Sequence, residues 1–514
     1  MSAAVPSLVQ HIDYVQIAAP LIVAIGAVAV LVAELFVPRS RKPVVSWLTL
    51  GVLAVAAIPD LTLWPGRLRG TFCVGYTNAT VFSPLGPTGP KTPQLVSTTS
   101  CSYVADRFTL ILQFIALAGA FIVVLMSAGS MRRDRIPTGE YHFLLLASVA
   151  GALVLAAARD LITLTIALET VSVPAFALVG LKRHDGKSSE AALKFFLVSV
   201  TSTAVMLFGI SLVYGVTGAV HFDEVATALA HQGPHNRLAH LAALGVGLTL
   251  IGFAFKASAV PFHFWTPDTY AGAPVPVAAY LSVVSKAAGF AGLILLTGTA
   301  FSPYLDKTGP LLAVLAACTM TVGNLVALRQ TDAVRLLAWS TVGQAGYMLV
   351  PLAIHDAAHY AAYIGATVAY LILYAVMNLG AFAVVHSLRD TSLQAYRGLA
   401  RTRPLASAAL AFFLLCLAGL PPGLMGLFAK VAVLRAAAGS HLIWLAVVMA
   451  VNVVIALYYY LSWAARLYSA PGTSVETTMA TTTRSPLPLR VAIGLTLTAA
   501  ILFSVWPQPA LGAF

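Results

Sequence analysis

The sequence predicts an all-α polytopic membrane protein of about fourteen transmembrane helices, with two inverted five-helix repeats and two discontinuous helices. Three observations predict it. Of 514 residues, 59% are hydrophobic and only 9% charged, whereas a soluble protein is about 25% charged. The apolar residues gather in runs of the ~20 residues that one helix needs to cross a bilayer. Two of those runs are interrupted by proline, and each interruption has a lysine beside it.

The runs are 15–37, 44–64, 107–129, 141–158, 161–181, 190–217, 239–268, 273–298, 309–328, 334–353, 360–388, 404–436, 440–465 and 489–510. Closed barrels also span membranes, but these runs lack the alternation of barrel strands. The N-terminus has no positively charged stretch before its first apolar run, so that run is expected to be a permanent span rather than a cleaved signal. The expected units are a three-helix segment 1–140 with a polar loop at 65–106, a first repeat 141–300, a second repeat 301–470, and a final loop and span 471–514.

Charge placement gives orientation and excludes function classes. With the N-terminus outside, the inside loops carry 18 of the 30 Lys and Arg residues and the outside segments 8. That bias favours both termini outside. The expected setting is a bacterial cell (inner) membrane, among membrane lipids. The net charge of +12 is scattered between apolar runs rather than gathered in a basic domain, so nucleic acid is a poor partner. No Walker A sequence GxxxxGK[ST] is present, so energy is expected from elsewhere. Cys318 and Cys416 lie in apolar runs. Cys73 and Cys101 share the 65–106 loop, either as a disulfide or as two free thiols. No CxxC or haem motif offers a metal site.

Four lysines lie within the spans: Lys194, Lys256, Lys286 and Lys430. Glu169, in LITLTIALETVSVPAFALVG, is the one carboxylate well inside an apolar run. A charge at mid-membrane costs about 2.5–3.5 kcal/mol on insertion scales, so such groups face a protein interior or water and tend to pair. Lys194, a few residues into its span, either snorkels to the interface or belongs with the others. Glu169 either neutralises a lysine or works with it. Lysine loses its proton when desolvated, and a nearby carboxylate opposes that loss. A row of buried lysines is therefore a workable proton relay and a poor metal site. His263, two residues past Pro261, is either a proton carrier or a core histidine.

The interruptions are IGFAFKASAVPFHFWTPD (251–268) and CLAGLPPGLMGLFAKVAVL (416–434). Non-helical backbone at membrane depth is tolerated only inside protein or beside water. Matched interruptions in two halves are the mark of a transporter built from repeats. They fall in the seventh and twelfth spans. Five is odd, so repeats of spans 4–8 and 9–13 run in opposite orientation. The short links AARDLITL and ALRQTDAVRLL supply a second parallel.

These stretches carry a resemblance. SSEAALKFFLVSVTSTAVMLFGISLVYGVTG (188–218), FKASAVPFHFWTPDTYAGAPVPVAAYLSVVSKAAGF (255–290), GNLVALRQTDAVRLLAWSTVGQAGYML (323–349), AVMNLGAFAVV (375–385) and PPGLMGLFAK (421–430) resemble the antiporter-like membrane subunits of respiratory complex I, the proton-pumping NADH–quinone oxidoreductase. The resemblance implies a proton axis of Glu169, Lys256, Lys286 and Lys430, with Lys194 beside it. It implies no cofactor in this chain, with FMN, iron–sulfur clusters and quinone in partner subunits, and M-like and K-like membrane subunits as neighbours. No long lateral helix follows span 14, and Lys430 stands where the M-type member usually has glutamate. Both points set the chain apart from the L-type and M-type members. Gln344 stands where many relatives have histidine; a relay there would need water. Two other readings share the motifs: a multi-chain cation/proton antiporter and a proton-pumping membrane hydrogenase. An inert scaffold is the third, and costly buried charges speak against it.

Overall fold

A computed structural model describes residues 12–64, 69–76, 80–81, 94–95, 98–129, 131, 134–182, 184–231, 237–354, 360–388, 390–440, 442–470 and 485–512. Arg67, Lys91, Arg132, Arg133, Arg183, Arg389 and Arg484, which entered the charge count, lie outside the described residues.

Long apolar runs become helices because hydrocarbon leaves backbone N–H and C=O groups no other partner. The N-terminal helices are α1 (Ala18–Phe36), α2 (Pro43–Leu63) and α3 (Arg107–Ser127). Then come α4 (Thr138–Ala157), α5 (Leu161–Val179), the 32-residue α6 (Gly186–Thr217) and the short α7 (Phe222–Ala230). The first broken span is α8 (Arg237–Lys256) followed by α9 (Trp265–Gly272). Next are α10 (Val275–Tyr280) and α11 (Lys286–Leu295), joined through a π-helical stretch Leu281–Ser285, then α12 (Leu305–Ala327), α13 (Ala333–Leu349) and α14 (Tyr360–Leu388). After the four-residue α15 (Leu399–Thr402), the second broken span is α16 (Pro404–Ala418) and α17 (Leu424–Gly439), followed by α18 (Ile443–Tyr468), α19 (Leu487–Val505) and α20 (Gln508–Leu511).

Among the described residues, twelve helical stretches are long and apolar enough to cross a membrane. The other two expected spans are α13, at 17 residues, and the pair α16–α17, whose members are shorter still. The expected boundaries shift where local chemistry overrides hydropathy. α6 begins at Gly186 because the Asp185 side chain caps it, accepting from the Lys187 N–H at 3.1 Å. The first broken span ends its helix at Lys256, because Ser258 takes a left-handed conformation and Pro261 has no N–H to offer the Ala257 carbonyl.

The 65–106 loop forms a hairpin in its described part. β1 (Arg69–Tyr76) pairs antiparallel with β4 (Thr98–Ala105), while β2 (Thr80–Val81) pairs with β3 (Gln94–Leu95). Cys73 and Cys101 sit opposite each other in the first pair and are disulfide-bonded. The hairpin is tied down by Arg159, whose N–H donates to the Ser102 carbonyl at 2.9 Å and whose guanidinium pairs with Asp106 at 2.6 Å. Ser100 donates to Asp223 of α7 at 2.7 Å.

The two charged links share a construction. Asp160 caps α5 through the Thr163 N–H at 2.7 Å, and Asp332 caps α13 through the Arg335 N–H at 2.9 Å. Each also makes an isolated antiparallel bridge, Asp160 with His221 and Asp332 with Ser392. The first bridge lies at the hairpin end of the molecule. At the other end Asp332, Asp134, Lys182 and Thr391 line one polar cavity of about 350 Å³.

Candidate functional site

The two breaks are built alike. In the first, Ser258 adopts a left-handed conformation (φ 64°) three residues before Pro261, which follows a cis bond from Val260. In the second, Gly419 is left-handed (φ 83°) three residues before Pro422, which follows a cis bond from Pro421. Glycine suits the second break for another reason too. A Cβ on Gly426, in PPGLMGLF, would lie 1.7 Å from the Cys416 carbonyl oxygen, so α17 reaches this position only with glycine.

In a helix, the carbonyl of residue i accepts from the N–H of residue i+4. Proline has no N–H. Pro261 therefore strips the Ala257 carbonyl of its donor, and Pro421 and Pro422 strip Leu417 and Ala418. These are the carbonyls that take the buried ammonium groups. Lys286 Nζ donates to Ala257 O at 3.2 Å and to Thr341 O at 3.0 Å. Lys430 Nζ donates to Leu417 O at 2.8 Å and Ala418 O at 2.6 Å. Both lysines are buried. The π-helical stretch just before Lys286 inserts an extra residue into its turn, a feature that often marks functional positions.

Lys256, which the sequence pairs with Pro261, points elsewhere. Its ammonium donates to Ser172 Oγ of α5 at 2.8 Å and lies 6.0 Å from the centre of the Phe195 ring. Phe195 stacks on Trp265 at 4.5 Å, and the Trp265 indole N–H donates to the Phe255 carbonyl at 3.0 Å. Among the described ion pairs, none joins Glu169 to Lys256 within 4.0 Å. The Glu169 carboxylate accepts from Thr203 Oγ at 2.7 Å. It is only half-buried, and its helix neighbours Ile162, Ile166 and Val173 are exposed.

Lys194 stands apart from this row. It is half exposed, paired with Glu190 at 2.7 Å and with Asp268 at 3.2 Å, and Asp268 also holds Arg335 at 2.5 Å. These four residues line a polar cleft of about 580 Å³ that reaches Gly272 at the end of α9. His263 is buried between the rings of Phe264 (4.9 Å) and Trp339 (5.3 Å), and its Nδ1 has no partner among the described residues.

Between Lys286 and Lys430 runs a set of polar residues of which sequence reasoning singled out only Gln344. They lie one helical turn apart on α13. Thr341 Oγ accepts from Tyr374 at 3.0 Å. Gln344 Oε1 accepts from Tyr370 at 2.5 Å, and its Nε2 donates to Tyr460 at 3.2 Å. Tyr347 OH accepts from Asn324 at 2.9 Å, and the Tyr347 ring centre is 6.0 Å from Lys430 Nζ. Asn324 accepts in turn from Tyr459 at 3.0 Å and donates to Asn452 at 3.2 Å. The available signal was an asparagine inside each of two apolar runs, TVGNLVAL and AVNVVIAL, since buried amides require partners.

A many-helix membrane protein with two broken spans and a row of buried lysines belongs to the class of ion-translocating membrane subunits. The profile of the family described as NADH:quinone oxidoreductase/Mrp antiporter, TM, matches residues 158–456, and the chain belongs to that family. It is 55% identical over 532 residues to NADH-quinone oxidoreductase subunit N 2 of Streptomyces griseus, covering 99% of this chain and 95% of the relative. It is 44% identical over 476 residues to NADH-quinone oxidoreductase subunit N of Salinispora tropica, covering 90% and 86%. Among solved structures, a chain of respiratory complex I from Thermus thermophilus with bound aureothin matches with a TM-score of 0.74 and 29% identity, over 96% of this chain and 98% of that one. A chain of the Mrp complex from Dietzia shares the fold, with a TM-score of 0.78 at 20% identity over 98% and 96%. The motif resemblance to complex I is thereby borne out.

Proposed function

We propose that the chain is the N-type proton-translocating subunit in the membrane arm of a respiratory NADH–quinone oxidoreductase. Protons arrive through the polar cleft around Lys194, Glu190 and Asp268. They are held at Lys256 under the influence of Glu169, pass by way of Lys286 and the α13 polar row to Lys430, and leave at the hairpin end. The observation that carries this reading is the seating of Lys286 and Lys430 on uncharged carbonyls that prolines have freed. An ammonium held by neutral acceptors has no carboxylate locking its proton in place, so it can release that proton when neighbouring charge shifts. Gln344 does not titrate, and its amide instead links Tyr370 to Tyr460 beside the route.

The proposal puts the hairpin end outside, supported by the Lys and Arg bias and by a disulfide, which persists in oxidising compartments. It divides the core into inverted repeats at 141–300 and 301–470, supported by the matched breaks and matched aspartate caps. Redox work belongs to partner subunits carrying FMN, iron–sulfur clusters and quinone, and quinone reduction there drives charge shifts along the axis. The half-exposed Glu169 on an apolar face supports a neighbouring membrane subunit packed over α5, because hydrocarbon does not accept a bare carboxylate.

The test measures NADH-driven quinone reduction and proton uptake in inverted membrane vesicles carrying Lys256→Ala or Glu169→Ala. Loss of both activities is expected. Wild-type rates of both, with the assembly intact, would sink the axis. A proton gradient that drives sodium exchange without NADH oxidation would instead support the antiporter reading.

A further inference from the structure

We propose that the groove bounded by α2, α3, α14 and α19 is a phospholipid site, with one acyl chain in the groove and the phosphate on Arg107. The groove has a volume of about 520 Å³. Its walls are apolar, with Ile111, Ile115 and Ile122 on α3, Leu379 on α14 and Phe503 on α19. The hydroxyl of Thr496, a polar wall residue, is committed to the Ala492 carbonyl at 2.9 Å. The interior therefore suits hydrocarbon.

The length of the groove fits one acyl chain. From Ile111 to Ile122 the groove follows α3 for about 16 Å at 1.5 Å per residue. That is about half of a ~30 Å hydrocarbon core, the depth of one leaflet.

The mouth supplies the charge. Trp64 lines the groove at the hairpin end, and the Arg107 guanidinium lies 5.8 Å from its ring centre. Arg107 is exposed and reaches the Gly512 carbonyl at 3.4 Å, and among the described residues no carboxylate neutralises it. A Trp and Arg pair at the membrane–water boundary is placed where a phosphate lies. The planar guanidinium fork matches phosphate oxygens.

The experiment uses the intact membrane assembly in vesicles containing phosphatidylglycerol or phosphatidylcholine with a photoactivatable acyl chain, followed by peptide mapping. Cross-links on α3 and α19 are expected to exceed those on the exposed Leu207–Phe208 segment of α6 by about fivefold. Ala499→Trp fills the groove and should remove this excess without changing α6. If that variant fails to assemble, Ala118→Leu gives the same reading. Arg107→Gln should release the retained lipid on detergent washing, and free inorganic phosphate should not compete for it. Labelling no stronger than on α6, an excess that survives the filling variants, or a partner-subunit peptide cross-linked into the groove would overturn the proposal.

Discussion

The two breaks differ in where their cation comes from. At the first, one proline frees one carbonyl, Ala257, and the ammonium arrives from a different span, Lys286, which takes its second acceptor from Thr341 on α13. At the second, two successive prolines free two carbonyls, Leu417 and Ala418, and Lys430 of the same span occupies both. The first seat thus links three helical segments, whereas the second is complete within one broken span. The lesson is that the proline makes an acceptor, not a partnership. Any ammonium within reach can use it, and Lys256, nearest the first break in sequence, is held by Ser172 instead.

Removing the cations is the strongest way to break the comparison. Lys286→Ala and Lys430→Ala should each lower NADH-driven proton uptake about tenfold or more, read by dye quenching in inverted vesicles. A pump that tolerates either loss would show that the two seats are not equivalent parts of one route.

Restoring the donors is the next step down. Pro261→Ala gives the Ala257 carbonyl a helical donor but leaves Lys286 its Thr341 bond. The double change Pro421→Ala with Pro422→Ala removes both seats of Lys430. The double variant should lose more proton uptake than the single variant, since a hydrogen bond to a charged group contributes roughly 1.5–3 kcal/mol and one bond survives in the single variant. Equal effects, measured in the same vesicles, would mean that the freed carbonyls do not set the seats.

Smaller changes probe the input side. Thr203→Val removes the hydroxyl that donates to Glu169 and should reduce turnover less than Glu169→Gln does, because the carboxylate keeps its charge. Steady-state quinone reduction across the two variants checks the order. Lys194→Gln should do least, within about twofold of wild type, because solvent-exposed ion pairs contribute ~0–1 kcal/mol. A collapse of activity there would move Lys194 from beside the axis into it.

Much of this was legible beforehand. Hydropathy placed the spans, since an apolar run in hydrocarbon has few alternatives to helix. Charged residues in those runs marked Glu169, Lys256, Lys286 and Lys430, and the prolines marked both breaks. The pairing of Cys73 with Cys101 was open until the hairpin put them opposite each other. The row Thr341, Gln344 and Tyr347 was harder to see. Tyrosine, threonine and glutamine are ordinary within spans, and only packing of α12, α14 and α18 around α13 turns them into a connected set.

The sequence by itself determined which ions lie in the membrane and which carbonyls are left without donors. Both are local facts, because a proline at position i strips the carbonyl at i−4 wherever the helix is placed. Tertiary structure alone decided which lysine answers which carbonyl. A lysine side chain reaches only a few ångströms, so its acceptor depends on which helix is packed beside it, and that distance is not written in the order of residues along the chain.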